Sequence, residues 1–287
     1  MTVRDRAFHR YSGASTARRW RFLVLFRYAW KDVFSARLVT AVYALSFAPI
    51  LVAATIVYLR HNLPALAAME LEVAEIIAVE GDFFNIMLRC QGIFLLVLTA
   101  LVGPGLVSPD LANNGLPLYL CRPFSRTEYV LGKLSVLAVL GSTVTWLPLL
   151  LLTAFQGSVE SGWMAGHWHV AGAVFLGSWA WILVLALLAL ALSAWVRWRL
   201  LAAAMLFATL FVASGLAEFV NQLFRTHYGD LLSPGKLIFA VWEAMLFGAD
   251  APMVDVPPLA AWLGLAAFCG FCLLVLNRKL RAYEVVR

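Results

Sequence analysis

Residues 170–196 read VAGAVFLGSWAWILVLALLALALSAWV, an apolar run without a charged side chain. A helix needs about 20 apolar residues to cross the hydrocarbon layer of a bilayer. Only helices and closed barrels cross it, because a backbone group left unpaired in lipid costs several kcal/mol. The run is long enough, so it predicts a membrane-spanning helix.

The rest of the chain has the same character. Hydrophobic residues make up 63% of the 287 positions and charged residues 13%, against roughly 45–50% and about 25% in soluble domains. We expect an all-α polytopic membrane protein, with a tail and connecting helix at residues 1–37, a six-helix domain at 38–276 and a basic tail at 277–287. Hydropathy windows of about 19 residues place the predicted spans near Leu38–Leu59, Phe83–Val107, Leu134–Phe155, Val170–Val196, Leu200–Gln222 and Pro258–Leu276.

Charge predicts the orientation of these spans. Lys and Arg are retained in the cytoplasm, and with the N-terminus inside, all but four of the 22 Lys and Arg residues fall in cytoplasmic segments. The exceptions are Arg60, Arg89, Arg225 and Lys236. Both termini are therefore predicted to be cytoplasmic. The net charge of +6 then reflects orientation and affinity for anionic membrane lipid, and we expect no nucleic acid partner.

Residues 17–37, ARRWRFLVLFRYAWKDVFSAR, carry a helical pattern with two different faces. Large apolar residues recur at helical spacing, while Arg27, Lys31 and Ser35 share another face. Such helices lie in the membrane interface with the apolar side toward the lipid. We expect an interfacial amphipathic helix that leads into span 1. A plain membrane anchor and a mechanically coupled element both fit the pattern.

Residues 108–133 form the longest polar stretch on the predicted cytoplasmic side after the N-terminus. Pro104 and Pro109 are expected to kink or end span 2, because proline lacks the N–H group that a helix needs. Ser125 and Glu128 have capping-box spacing, which predicts that the third helix starts there. The segment thus predicts a cytoplasmic hairpin with one short helix that begins near Asp110.

Two segments on the predicted outer side also have helical patterns. Residues 60–82 predict a short helix with several acidic positions. Within the external segment 223–257, the run PGKLIFAVWEAMLFGA is too short to span the membrane. A re-entrant helix, an interface-lying helix and a capped helix that covers the bundle all fit this run.

Motifs of common enzymes are missing. The sequence has no G-x-x-x-x-G-K-[ST], H-E-x-x-H or G-x-S-x-G, so it does not predict nucleotide hydrolysis, zinc proteolysis or serine hydrolysis. Cys269 and Cys272 form a C-x-x-C inside an apolar span, where a reactive thiolate lacks its polar surroundings. His167 and His169 lie in an outer loop without nearby Cys, Asp or Glu. We predict neither a catalytic nor a metal site.

Few ionisable side chains lie within the predicted spans, where such residues are costly and often functional. Arg89 lies in the outer half of span 2, and Glu218 and Asn221 lie near the outer end of span 5. Arg89 and Glu218 can pair, or each can reach the outer interface by snorkelling. These three residues are the candidate polar positions of a translocation path.

The stretch NNGLPLYLCRPFSRTEYVLGK at residues 113–133, with Asp110 upstream, resembles the signature loop of the type 2 ABC exporter permeases. In that family an acidic residue, a Gly-containing turn, an apolar stretch, R-P-[apolar]-S-R and G-K follow in this order. An amphipathic connecting helix, six spans and short external helices between spans 5 and 6 also resemble the family. Asp110 stands where many relatives have Glu, and Gly115 lies one residue further along than in the commoner pattern.

The resemblance implies that this loop couples the chain to a separate ATPase subunit. Asp110 to Leu120 would form a coupling helix that docks into the ATPase, with basic residues anchoring its flanks. ATP and magnesium would be bound by that partner, and this chain would hold no cofactor. The implied ATPase-coupling residues are Asp110, Asn114, Gly115, Leu118, Tyr119, Arg122, Pro123, Arg126 and Lys133.

The resemblance further implies a non-catalytic permease of the inner (plasma) membrane. It would act with a second permease copy or paralogue and export a substrate along spans 2 and 5. A different class is an ATPase-partnered membrane subunit of an envelope or cofactor-maturation complex that moves no free solute. A third is an intramembrane enzyme or independent channel. An adjacent gene for an ATPase is expected only for the first two.

Overall fold

A computed structural model of the chain describes residues 21–62, 79–112, 126–196, 198–248 and 256–281. These residues are almost entirely helical, and no strand occurs among them. Six helical segments are long and apolar enough to cross a membrane, which confirms the predicted number. They are Arg37–His61 (span 1), Gly81–Asp110 (span 2), Thr127–Val159 (span 3), Trp168–Trp195 (span 4), Arg199–Phe224 (span 5) and Pro258–Lys279 (span 6).

Contacts between the ends of the spans give their relative directions. The end of span 2 meets the start of span 3 through Asp110 and Lys133, and it meets the end of span 4 through the Ser108 hydroxyl. The ends of spans 1 and 3 meet through His61 and Glu160. We call the face with Asp110 the proximal face and the face with Glu160 the distal face. The charge pattern predicts that the proximal face is cytoplasmic.

Span 4 is the centre of the bundle. In its most apolar stretch 78% of the residues are buried, against 17% in span 1 and 22% in each of spans 5 and 6. Spans 2, 3 and 6 all pack against it. A helix that is apolar all round is expected at the core of a bundle. The uncharged run at residues 170–196 is therefore the core element as well as a span.

A helix at Arg21–Val33 precedes span 1, inside the predicted segment 17–37. The rings of Phe26, Trp30, Phe34 and Tyr43 contact one another in succession, with neighbouring centroids 5.5, 5.1 and 5.3 Å apart. This ladder joins the amphipathic helix to span 1, and the helix also packs along the first half of span 3. It is thus held by two spans.

Spans 1 and 3 are each interrupted, although we expected continuous helices. Pro49 and Pro148 follow the two interruptions, and proline removes a donor from the turn that precedes it. The Gln91 side chain of span 2 donates to the Ser46 carbonyl at 3.0 Å, which satisfies a backbone group at the first interruption. The parts are Arg37–Leu45 and Ala48–His61 in span 1, and Arg126–Val144 and Trp146–Val159 in span 3.

Span 2 lies in one helix, Gly81–Ala112, that passes through Pro104 and Pro109. Of the two outcomes expected for these prolines, a kink or an end of the span, the end at either proline is wrong. The helix also continues past Asp110, where we expected a new short helix to begin. The third helix starts at Arg126, directly after Ser125, as the capping-box spacing predicts.

A short helix, Pro234–Phe247, lies between spans 5 and 6 and follows a 3-10 turn at Tyr228–Leu232. Its Trp242 lies against Gly92 and Gly177, where an added Cβ would come within 2.9 and 2.6 Å of the indole. Counted along the two helices at 1.5 Å per residue, these glycines lie about 14–16 Å from the distal ends of spans 2 and 4. Spans 2 and 4 are 30 and 28 residues long, so Trp242 lies about a third of the way along them from the distal end. The short helix packs against spans 2, 4, 5 and 6 without crossing the bundle, and we call it the re-entrant helix.

The contact at Gly177 predicts a loss of stability on substitution. Gly177→Val forces a side chain into the Trp242 indole, and overpacking of this kind costs about 1–3 kcal/mol. The apparent Tm of the purified protein in detergent should fall. Gly172→Val is the matched control on the same span, because an added Cβ there meets no atom within 4 Å. Equal losses for the two variants would contradict the packing described here.

Candidate functional site

Three side chains at the proximal face meet at the base of the segment that joins spans 2 and 3. Asp110 lies near the end of helix 81–112, and Tyr129 and Lys133 lie one turn apart on span 3. The Asp110 carboxylate oxygen Oδ2 accepts from the Tyr129 hydroxyl at 2.7 Å and from the Lys133 ammonium at 2.9 Å. Residues four apart share a helix face, so both reach one carboxylate. We call these three residues the loop-base cluster.

The loop-base cluster is largely shielded from solvent. Tyr129 is 1% exposed and Lys133 is 7% exposed, while the Asp110 side chain is 19% exposed. Removing one partner of a buried ion pair typically costs roughly 3–5 kcal/mol, because the other charge stays buried without compensation. The cluster therefore fastens the proximal end of span 2 to that of span 3.

A cavity of about 360 Å³ lies beside the loop-base cluster. The amphipathic helix, the start of span 1 and spans 2, 3 and 5 all contribute to its wall. Its charged lining residues are Asp32, Asp110, Lys133 and Arg199. Two acids and two bases cancel in formal charge, so the cavity does not favour an anion or a cation by its net charge.

Arg199, at the start of span 5, fastens that span to span 2. Its guanidinium donates to the Leu101 carbonyl at 2.7 Å. It also lies over Gly105, where an added Cβ would come within 3.3 Å of it. Pro104 has no backbone N–H group, so this turn lacks one hydrogen-bond donor. The Arg199 side chain donates in the same turn, to the Leu101 carbonyl. Spans 2, 3 and 5 are thus joined at the proximal face.

A second ion pair lies in the distal half of the bundle, between span 2 and the re-entrant helix. The Arg89 guanidinium donates to the Glu243 carboxylate, and its Nε donates to the Asn85 side chain at 3.3 Å. It also lies 4.6 Å from the centroid of the Phe239 ring. The Glu243 side chain is 2% exposed and that of Arg89 is 33% exposed. Arg89 therefore neutralises a carboxylate that the protein buries.

The Arg89–Glu218 pair considered from sequence is wrong. Glu218 instead binds Lys236 at 2.9 Å, and Lys236 also binds Asp230 at 2.8 Å. The Asn221 side chain donates to the same Asp230 carboxylate at 2.9 Å. Burial acts to lower the pKa of Lys236, but the hydrogen bonds to Asp230 and Glu218 outweigh it and raise the pKa. Glu218 and Asn221 thus fasten the entry of the re-entrant helix to the end of span 5.

The histidine and cysteine candidates have ordinary packing roles. Where the structure describes the chain, no group of three or more His, Cys, Asp or Glu could hold a metal ion. His167 stacks on the Trp163 ring at 4.6 Å, and its Nδ1 donates to the Trp163 carbonyl at 3.0 Å. Cys269 and Cys272 are free thiols. His167 therefore caps the turn that precedes span 4.

Most of the predicted ATPase-coupling residues lie outside the described residues, as does the helix expected within residues 60–82. Asp110 and Lys133 are described and lie together in the loop-base cluster, and only the backbone of Arg126 is described. The others, outside the described ranges, are Asn114, Gly115, Leu118, Tyr119, Arg122 and Pro123.

Three residues of these sites were missed in the sequence. Glu243 had a detectable signal, since it is the one charged residue in the run from Leu237 to Phe247. Tyr129 lies four residues before Lys133, a spacing that places both on one face. Arg199 had no local signal beyond its position at the start of a span, because its partner carbonyl is nearly a hundred residues away in the chain.

The Arg89–Glu243 pair predicts a specific pattern of stability. Arg89→Met leaves the Glu243 charge buried and unpaired, so we expect a loss of up to roughly 3–5 kcal/mol and a lower apparent Tm. The double variant Arg89→Met/Glu243→Met removes both charges and should recover most of the loss. Arg225→Met, at an exposed distal position, is the control. A double variant no more stable than the single one would contradict the pairing.

The chain matches no protein-family model, and it has no significant match among curated protein sequences. The resemblance to the type 2 ABC exporter permeases is therefore one of the motif at residues 110–133 and of the predicted layout alone. The function has to be argued from the sites themselves.

Proposed function

We propose that this chain is the membrane-spanning permease subunit of an ATP-driven ABC exporter in the plasma membrane. The observation that carries the proposal is the loop-base cluster, because it lies at both ends of the loop whose sequence resembles the family's coupling segment. A force applied to this loop would be delivered to spans 2 and 3 together, since the Lys133 Nζ lies 2.9 Å from the Asp110 Oδ2 and links the two ends.

The proposal assigns different roles to the residues of the coupling set. The Asp110 carboxylate is engaged by Tyr129 and Lys133, so we assign Asp110 and Lys133 to anchoring the loop. Docking to the ATPase then falls to the segment from Asn114 to Arg126. ATP binding can drive a conformational change only if it stabilises one state of the permease more than the other. The docking segment is the contact through which that difference would reach the membrane.

The cytoplasmic half of the pathway would be controlled where spans 2 and 5 meet. Arg199 ties these spans together at Leu101 and Gly105, and the family resemblance assigns the substrate path to the same two spans. A movement of span 2 that is driven from the loop would strain or release this contact. Two copies of the chain, or this chain and a paralogue, would enclose the path.

The proposal is tested by co-purification with the ABC ATPase encoded nearest to this chain. We expect a stable complex that Arg122→Ala weakens roughly tenfold or more, because a hydrogen bond to a charged group contributes about 1.5–3 kcal/mol. Arg37→Ala is the matched control, since Arg37 is exposed at the proximal start of span 1 but outside the loop. Failure of any ATPase to associate would contradict the proposal.

The anchoring role is tested in the same complex. The double variant Asp110→Leu/Lys133→Met replaces the buried pair with apolar side chains, an exchange that is often tolerated for stability. It should keep the ATPase bound but reduce the change in ATPase rate that the wild-type permease imposes. An unchanged rate with full binding would show that the loop-base cluster has no part in coupling.

A further inference from the structure

An apolar groove runs between the first turns of span 3 and the last turns of span 6, at the proximal end of the bundle. It encloses about 620 Å³. Val130 and Leu131 form one wall, and Leu273 and Leu274 form the other. Gly270 leaves space within it, because an added Cβ there would meet no atom within 4 Å. Both spans pack against span 4, so the groove is the gap between two neighbours of the central helix.

The polarity of the groove changes along its length. Its deeper part is apolar, whereas Thr127 and Asn277 lie at its proximal end. Arg278 comes next and is exposed. The order from the membrane interior outward is therefore apolar, polar and basic.

We infer that this groove binds one anionic phospholipid of the proximal leaflet. A phospholipid presents its acyl chain, its ester region and its phosphate in the same order as leucines, Thr127 with Asn277, and the exposed Arg278 follow one another here. The Arg278 guanidinium donates paired N–H groups that suit a phosphate. Glu128, the acidic residue in this first turn of span 3, already has an interaction of its own. The groove and the loop-base cluster use different residues of span 3, and lipid binding does not require the proposed ATPase partner.

The charge component is tested by native mass spectrometry of the full chain, purified in detergent and supplied with phosphatidylglycerol or phosphatidylcholine. We expect the wild-type protein to retain one phosphatidylglycerol in preference to phosphatidylcholine. Arg278→Ala should lower that preference about fivefold, the factor that corresponds to about 1 kcal/mol per basic residue at a membrane surface. Arg37→Ala removes an exposed arginine from the same face and should leave the preference unchanged.

The groove itself is tested by filling it. Gly270→Leu should reduce retention of both lipids, whereas Gly172→Leu, which also faces open space, should not. Unchanged elution volume and Tm without added lipid show that each variant is folded. The inference is overturned if wild type holds the two lipids equally, if Arg278→Ala or Gly270→Leu has no effect, or if folded wild-type protein retains no lipid. That last result would mean that another part of the chain covers the groove.

Discussion

A backbone carbonyl inside a hydrocarbon layer must find a donor within the protein, and this constraint explains two contacts at irregular turns of the bundle. Where span 1 is interrupted, the Ser46 carbonyl accepts from Gln91 of span 2. Where span 2 contains Pro104, the Leu101 carbonyl accepts from Arg199 of span 5. Both turns are therefore also points of attachment between spans. Gln91 holds span 1 to span 2, and Arg199 holds span 5 to span 2.

The same physics explains why the two buried ion pairs are informative. A charge in the membrane region is retained only where a partner neutralises it, and it is then often connected with function. Lys133 with Asp110 joins the ends of a loop, and Arg89 with Glu243 joins span 2 to the re-entrant helix. Span 2 thus carries a charged attachment near each end and lies against the central span. A displacement of the proximal loop would therefore move span 2, which also holds the re-entrant helix.

The sequence allowed the number and approximate limits of the spans to be predicted, because apolar length is a local property. Prediction was poorer wherever the outcome depended on a distant partner. Two prolines in span 2 predict a kink or an end, but the helix continues through both, and Arg199 of span 5 donates beside Pro104. The sequence allows Arg89 to pair with Glu218 or to snorkel, yet the re-entrant helix brings Glu243 to it. The position of the re-entrant helix depends on glycines of spans 2 and 4 that accommodate Trp242. These residues are far apart in the sequence, so no local pattern predicts the contact.

The central claim is that the loop between spans 2 and 3 contacts an ATPase, and the native thiol of Cys121 tests it most directly. Cys121 lies in this loop, while Cys90, Cys269 and Cys272 lie in spans 2 and 6. A photoactivatable, thiol-reactive crosslinker attached to the chain in membranes containing the neighbouring ATPase should give an adduct of the two proteins that disappears in Cys121→Ser. An adduct that persists in Cys121→Ser, or none in membranes where both proteins are present and folded, would contradict the claim.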